Sequence, residues 1–236
     1  MMRRRSFLCA APALALAGCA NVPGAGTGPS APAPAWRVGD TWTYDCRDGY
    51  RVPVTWRETH EVIIIDATGI AVRVTARGET MNFARTELYT APGQLLVGAV
   101  YDNAETRRFR SPLTLYRFPL APGASWNETV ANYDELTQRE DSVNRYARVL
   151  GREPVATPAG TFDALALRVF MNLNVNDPFQ FPTQCDYVQW WSPEVGAPVR
   201  ETKSAAYIER NSGSDPAQVR TQNTVIELVA YGRGAG

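Results

Sequence analysis

Hydrophobic residues along this chain recur at every second position rather than every third or fourth. Ile70, Val72, Val74 and Ala76 alternate with Ala71, Arg73, Thr75 and Arg77; Leu165, Leu167, Val169, Met171, Leu173 and Val175 alternate with Ala166, Arg168, Asn172 and Asn174. A period of two sends successive side chains to opposite faces of a strand, so each run describes a strand with one face in a core and the other in water. Trp42, Tyr44 and Cys46 share a face near the start in the same way.

Between the runs stand turn formers: Asp66-Ala67-Thr68-Gly69, Ala91-Pro92-Gly93, Pro122-Gly123, Pro158-Ala159-Gly160 and Pro193-Glu194-Val195-Gly196. Proline fixes one φ and glycine permits another, which is what a tight turn needs. The spacing predicts strands near 41–47, 52–65, 69–77, 80–90, 94–102, 107–118, 125–133, 138–150, 161–175, 185–192, 197–207 and 223–231, with a polar loop over 211–222. No segment carries a helical stripe. Strands joined by short turns pair antiparallel, and about a dozen in one sheet must curl or close to limit their edges. The expected fold is all-β, one large curved antiparallel sheet forming a half-barrel or a partly closed barrel meander over residues 36–232.

Ahead of the strands lies a segment of another kind. Arg3, Arg4 and Arg5 precede an apolar stretch, Phe7 to Ala17, shorter than the roughly 20 residues needed to span a bilayer as a helix. It ends in Leu16-Ala17-Gly18-Cys19, which resembles a bacterial lipobox. Residues 1–18 therefore read as a lipoprotein signal peptide and Cys19 as the lipidation site, the alternative being an ordinary signal peptide with a chance cysteine. Arg4-Arg5-Ser6-Phe7-Leu8 resembles a twin-arginine core, and a general secretory signal rich in arginine reads equally well. Ala20 after the cysteine, by resemblance to enterobacterial sorting, points to the periplasmic face of the outer membrane. From Ala20 to Ala35 the chain is almost wholly Ala, Gly, Pro, Ser and Thr, too poor in apolar surface to fold; residues 19–35 read as the lipidated cysteine and its tether.

Composition narrows the partners. The full chain has 24 basic and 24 acidic side chains, and losing Arg3, Arg4 and Arg5 leaves an excess of three negative charges. A nucleic-acid partner needs a concentrated basic face, so none is expected. Beyond Cys9 and Cys19 there remain Cys46 and Cys185, which in an oxidising compartment read as a disulfide, the alternative being two buried thiols. Neither stands in a metal-ligand spacing, and no metal or cofactor is expected.

Three stretches together resemble a family of bacterial envelope proteins with TapB-like and domain-of-unknown-function members: Val38-Gly39-Asp40-Thr41-Trp42-Thr43-Tyr44; Phe118-Pro119-Leu120 with Pro122-Gly123 and Ser125-Trp126; and Thr157 to Leu165 with Trp190-Trp191-Ser192-Pro193-Glu194-Val195-Gly196. The resemblance implies an open, strongly curved half-barrel similar to that of the LolA and LolB lipoprotein carriers, with no catalytic residues.

Candidate chemistry is sparse. His60, the one histidine, lies mid-strand and reads as solvent-facing. Asp45, Asp48, Asp134, Glu135, Glu140 and Asp141 cluster at turns and strand ends, where two could serve as a glycosidase-like pair. Six tryptophans are many for this size, and on a concave face Trp42, Trp126, Trp190 and Trp191 would line an apolar groove for a lipid or acyl ligand. Three hypotheses follow: a non-enzymatic lipid-anchored binder of a hydrophobic ligand or envelope protein; an interaction module recruiting partners by strand addition at an open edge; and a carboxylate-dependent glycan hydrolase.

Overall fold

A computed structural model describes residues 28–49, 52–100, 106–135, 138–173, 183–209 and 218–235; the signal peptide, Cys19 and the tether up to residue 27 lie outside them. Twelve strands follow in order: β1 (Thr41–Asp48), β2 (Val54–Asp66), β3 (Gly69–Gly78), β4 (Asn82–Ala91), β5 (Gln94–Gly98), β6 (Arg107–Thr114), β7 (Ser125–Asp134), β8 (Arg139–Thr157), β9 (Gly160–Leu173), β10 (Thr183–Ser192), β11 (Ala197–Glu209) and β12 (Gln218–Gly232). Each pairs antiparallel with its neighbour in sequence, and β12 returns to pair with β1 from Thr41↔Gly232 to Asp48↔Thr224. The large curved antiparallel sheet is thus present, and it is a closed barrel rather than an open half-barrel.

The alternation decides the faces. On β2, Trp56, Glu58, His60 and Val62 point inward and Arg57 outward; on β9, Leu165, Leu167, Val169, Met171 and Leu173 are buried. The outward positions of adjacent strands carry ion pairs: Arg57–Asp45 at 2.8 Å, Arg73–Glu61 at 3.2 Å and Arg168–Asp186 at 2.6 Å. This is the reverse of the apolar exterior of a membrane-spanning barrel.

Departures from the expected strands have physical causes. β12 begins at Gln218, inside the expected loop 211–222, because Gln218–Gln222 pairs with Ala205–Glu209 and a backbone ladder does not require apolar side chains. β8 runs to Thr157 rather than 150. Beyond Val149, which still bonds the Gly123 and Ala124 backbone ahead of β7, it has left that side, and β9 meets β10 only from Leu165, so 150–164 forms a two-stranded ribbon past the barrel rim. Pro154 is tolerated there because one edge of that ribbon is unpaired in the sheet. The ribbon folds over the barrel end, where Ala159 N–H donates to the Leu228 carbonyl at 3.1 Å.

The reading of 19–35 as tether fails over its last part. Ala31 is fully buried and exchanges two backbone hydrogen bonds with Leu120, at 2.9 and 2.8 Å. Arg152 donates to the Pro29 carbonyl at 3.0 Å, and Trp36 Nε1 to the Gly196 carbonyl at 2.9 Å. Backbone pairing needs no apolar composition, so a segment too poor in hydrophobics to fold alone still docks on a finished barrel. The termini are locked together by Asp40, fully buried, whose carboxylate accepts the Arg37 and Gly234 N–H groups, each at 2.9 Å. A Cβ on Gly234 would stand 2.0 Å from the Val38 carbonyl oxygen, so only glycine fits at this closure.

One seam lacks a backbone ladder. β6 and β7 pair only over Arg107–Phe109 and Asn132–Asp134, then diverge. Side chains bridge what remains. Arg145, fully buried, donates to the Thr114 and Leu115 carbonyls at 2.8 and 3.1 Å. Trp126 Nε1 donates to the Thr114 carbonyl at 3.1 Å, and Glu128 accepts the Thr114 N–H at 2.6 Å. Replacing Arg145 with Leu would leave the Leu115 carbonyl without its donor and the Thr114 carbonyl with Trp126 alone, and is expected to cost about 3 kcal/mol. The same change at the exposed Arg148 should stay within ~0.5 kcal/mol. Urea unfolding of both variants measures the difference.

Candidate functional site

The barrel interior is packed as two apolar clusters. One gathers Leu95, Leu113, Trp126, Leu167, Met171 and Trp191; the other gathers Trp42, Trp56, Val62, Val74, Phe162 and Leu228. Members of both line a cavity of about 200 Å³. It is reached by Trp36 from the docked N-terminal segment, by Tyr44 of β1, Tyr89 of β4 and Tyr187 of β10, and by Tyr116 just past β6.

The cavity is not apolar throughout. Glu58 and His60 enter from β2, Arg85 and Glu87 from β4, and Glu201 and Lys203 from β11, each at inward parity. His60 Nε2 lies 2.7 Å from Glu58 Oε1, and Arg85 lies 3.8 Å from Glu58 and 2.8 Å from Glu87. The Tyr89 hydroxyl donates to Glu87 at 2.6 Å. On the other wall the Tyr116 hydroxyl donates to Gln189 Oε1 at 3.1 Å, and Gln189 Nε2 donates to Glu201 at 2.6 Å. The Tyr44 hydroxyl donates to the Pro198 carbonyl at 3.0 Å, with its ring edge-on to His60.

The electrostatics follow from burial and partners. Burial opposes ionisation of Glu58, but the His60 hydrogen bond, the His60 and Arg85 charges and the Trp56 N–H outweigh it and hold its pKa down to about 2. Burial raises the Tyr89 phenol, with Glu87 adding to the effect, and raises Tyr116, with Glu201 adding. Both hydroxyls therefore act as donors. A general acid needs a raised carboxyl pKa, and Glu58 has the opposite.

The expected site residues do not converge. Trp42 lines the cavity, its Nε1 donating to the Val195 carbonyl at 3.1 Å. Trp126 sits at the β6–β7 seam, and Trp191 is buried against Phe118 at 5.2 Å. Trp190 faces outward, hydrogen-bonded to Glu153 and stacked under Arg200 at 5.6 Å. Closure of the sheet removes the open concave groove the four were expected to share. His60 points inward rather than to solvent, 26 % of its side chain exposed.

The carboxylates at turns and strand ends are spent on structure. Asp45 pairs with Arg57, Asp134 with Arg107, Glu135 with Arg108 and Glu140 with Arg110, while Asp48 accepts the Asn223 N–H and Asp141 the Ser142 N–H. The interior set of Glu58, Arg85, Glu87 and Glu201 was missed. Its signal was parity: Glu58 and His60 alternate in phase with Trp56 and Val62.

Cys46 and Cys185 are two separate buried thiols, not a disulfide. β12 and β11 lie between their strands, and at roughly 4.8 Å per strand the sulfur-bearing residues stand about 14 Å apart along the sheet, beyond the ~7 Å limit for a bridge. Among the described residues no group of three His, Cys, Asp or Glu side chains could hold a metal.

No protein-family description matches the chain, and no curated protein matches it. Solved structures do. The chain is similar to a protein of Bacteroides fragilis, assigned to export and described as having a YmcC-like fold, with 13% identity, a TM-score of 0.52, and coverage of 87% of this chain and 100% of that one. A protein of Parabacteroides distasonis assigned as a lipoprotein gives 11% identity, a TM-score of 0.49 and coverage of 87% and 100%. The hypothetical lipoprotein YmcC of Escherichia coli gives 8%, 0.38 and 81% and 84%. At these identities the first likeness shows the fold: a YmcC-like barrel, in place of the LolA- and LolB-like half-barrel the sequence motifs implied.

Between the ordinary carboxyl pKa of 4.5 and about 2, the unfolded chain protonates Glu58 while the folded one does not. Stability present above pH 4.5 is therefore lost as the pH falls toward 2, by about 3 kcal/mol. The stability gap between the wild type and Glu58→Gln should accordingly narrow over that window in acid titrations of urea unfolding. Burial also pushes the Cys46 thiol up, so it should alkylate only after denaturation. Peptide mapping after iodoacetamide in denaturant, without reductant, should find both Cys46 and Cys185 modified.

Proposed function

We propose that this protein is exported, acylated at Cys19, and held at the periplasmic face of the outer membrane, where its barrel binds a small molecule without transforming it. The leader supports the anchoring: a basic cluster, a short apolar stretch and Leu16-Ala17-Gly18-Cys19. Two or three acyl chains, at about 0.8 kcal/mol per buried methylene, give stable attachment. The observation that carries the binding part is the interior cavity, where aromatic walls meet ionised side chains at the centre of a barrel whose remaining interior is packed.

The cavity modifies the ligand first expected. At about 200 Å³ it is smaller than the roughly 300–1,000 Å³ of sites that take drug-sized ligands, and charged groups stand where an acyl chain would lie. A compact polar molecule suits it better. A non-enzymatic role is supported by the state of the interior groups: His60 is engaged with Glu58, and Glu58 and Glu87 share Arg85, which leaves none of these poised as acid or nucleophile.

A second reading, a partner-binding module, has one observation in its favour. Ile64 and Leu88, 48% and 37% exposed, flank Ala71 on the outer face of β2, β3 and β4. This row replaces the open edge first expected for strand addition, because ring closure pairs both terminal strands.

Metabolic labelling with palmitate should mark the wild type and not Cys19→Ser, which should move from the membrane fraction to the soluble one. Equal labelling of both would sink the anchoring reading. For binding, native mass spectrometry of the full chain from membranes should show a small retained mass lost on denaturation. A chain that is always empty, and is not stabilised thermally by any compound of a broad metabolite set, would leave the partner-binding reading.

A further inference from the structure

The cavity walls hold three carboxylates, Glu58, Glu87 and Glu201, against two permanent cations, Arg85 and Lys203. Arg200 also borders it, but its guanidinium lies over the Trp190 ring on the outer face and is matched by Glu227 at 3.5 Å. The pairing shows which of these carboxylates lacks a cation. Arg85 serves Glu58 and Glu87, and His60 serves Glu58. Glu201 accepts a hydrogen bond from the neutral Gln189 amide and, among the described residues, makes no ion pair. Its field is felt across the cavity: burial raises the Tyr116 phenol and Glu201 adds to it next, while at Tyr187 and Tyr44, also raised mainly by burial, Glu201 makes a smaller contribution behind other groups.

The other walls are aromatic. Trp36 packs at 5.6 Å against both Trp42, tilted, and Tyr89, edge-on, and Tyr44 and Tyr116 face the same space. A carboxylate without a cation, enclosed by tryptophan and tyrosine rings, is the arrangement that attracts an ammonium group: Coulombic attraction from the carboxylate is joined by the negative faces of the rings. An anion would be repelled by the Glu201 carboxylate, and a neutral apolar ligand would leave that carboxylate desolvated without compensation.

We propose that the interior cavity is a binding site for a compact organic monocation, a primary or quaternary ammonium, held by Glu201 and caged by Trp36, Tyr44, Tyr89 and Tyr116. This rests on the reading of the barrel interior as a ligand site and names its ligand class. The ammonium can belong to a free amine or to a lipid headgroup, since both present the same cation.

Isothermal titration of the full chain in detergent tests this with choline, ethanolamine and glycerophosphoethanolamine, against two controls: 3,3-dimethylbutanol, the neutral isostere of choline, and acetate. Saturable binding of an ammonium probe is expected, weakened at least 10-fold by Glu201→Gln and unaffected by Glu194→Gln at the surface. Tyr116→Leu, a second variant that retains the carboxylate, should weaken it as well, and melting curves of each variant establish that it is folded. Tighter binding of glycerophosphoethanolamine than of ethanolamine assigns the headgroup as the source, and the reverse assigns the free amine. Equal binding of 3,3-dimethylbutanol, or ammonium binding unchanged in Glu201→Gln, overturns the cation class while the interior remains a ligand site. If none of the five compounds binds, the cation class falls, and the ligand reading then stands or falls on the retained mass of the membrane-purified protein.

Discussion

Closure of the ring is the constraint on which the rest of this structure depends. A sheet of twelve strands has two terminal edges, and each unpaired edge exposes a row of N–H and C=O groups. β1 and β12 remove both by pairing with each other, and Asp40 holds the register of that closure by taking N–H groups from Arg37 and Gly234, one on each side of it. Once the ring is closed, the inward face of every strand is committed to one shared interior. That is why a single parity of side chains decides the core, the cavity and the charged exterior together.

The ring has one weak arc, and its repair is informative. Where β6 departs from β7, the missing backbone bonds are replaced by Arg145, Trp126 and Glu128. A guanidinium is suited to this work: it offers five donors in a fixed plane, and here two of them reach consecutive carbonyls. The arc matters to the cavity because Leu115 and Tyr116, just past Thr114, form part of its wall. The side chains that repair the seam therefore also position Tyr116, whose hydroxyl orients Gln189 toward Glu201. Integrity of the wall and geometry of the proposed site are one problem.

Much of this was legible in the alternation. Runs such as Ile70–Ala76 and Leu165–Leu173 fixed strand positions and inward faces, because burial on one side of a sheet leaves a period of two that chance seldom imitates. Closure was not legible: it depends on two strands at opposite ends of the chain meeting, and neither Trp42 nor Tyr231 announces the other. Loss of the groove followed from that, since Trp190 and Trp191 fall on different faces of a ring that has no open concavity. Composition misled in two places. Polar residues 218–222 and the Ala/Pro-rich stretch around Ala31 were read as solvated, although backbone pairing is indifferent to side-chain polarity. The interior charges are hidden for the converse reason: Glu58 and His60 sit at core parity in phase with Trp56 and Val62, and composition does not reveal which face a charge occupies.

Burying carboxylates and a guanidinium costs several kcal/mol per ion before their mutual attraction returns any of it, and replacing such groups by packed apolar residues is often neutral or stabilising. A barrel selected only to be stable would join its two hydrophobic clusters through the middle. This one lines a cavity with members of both, sets Glu58 and Glu87 around Arg85, and holds Glu201 with an amide. The first two carboxylates are accounted for by their shared partner. Among the described residues Glu201 has no such account, and the ammonium ligand proposed for the cavity would complete it.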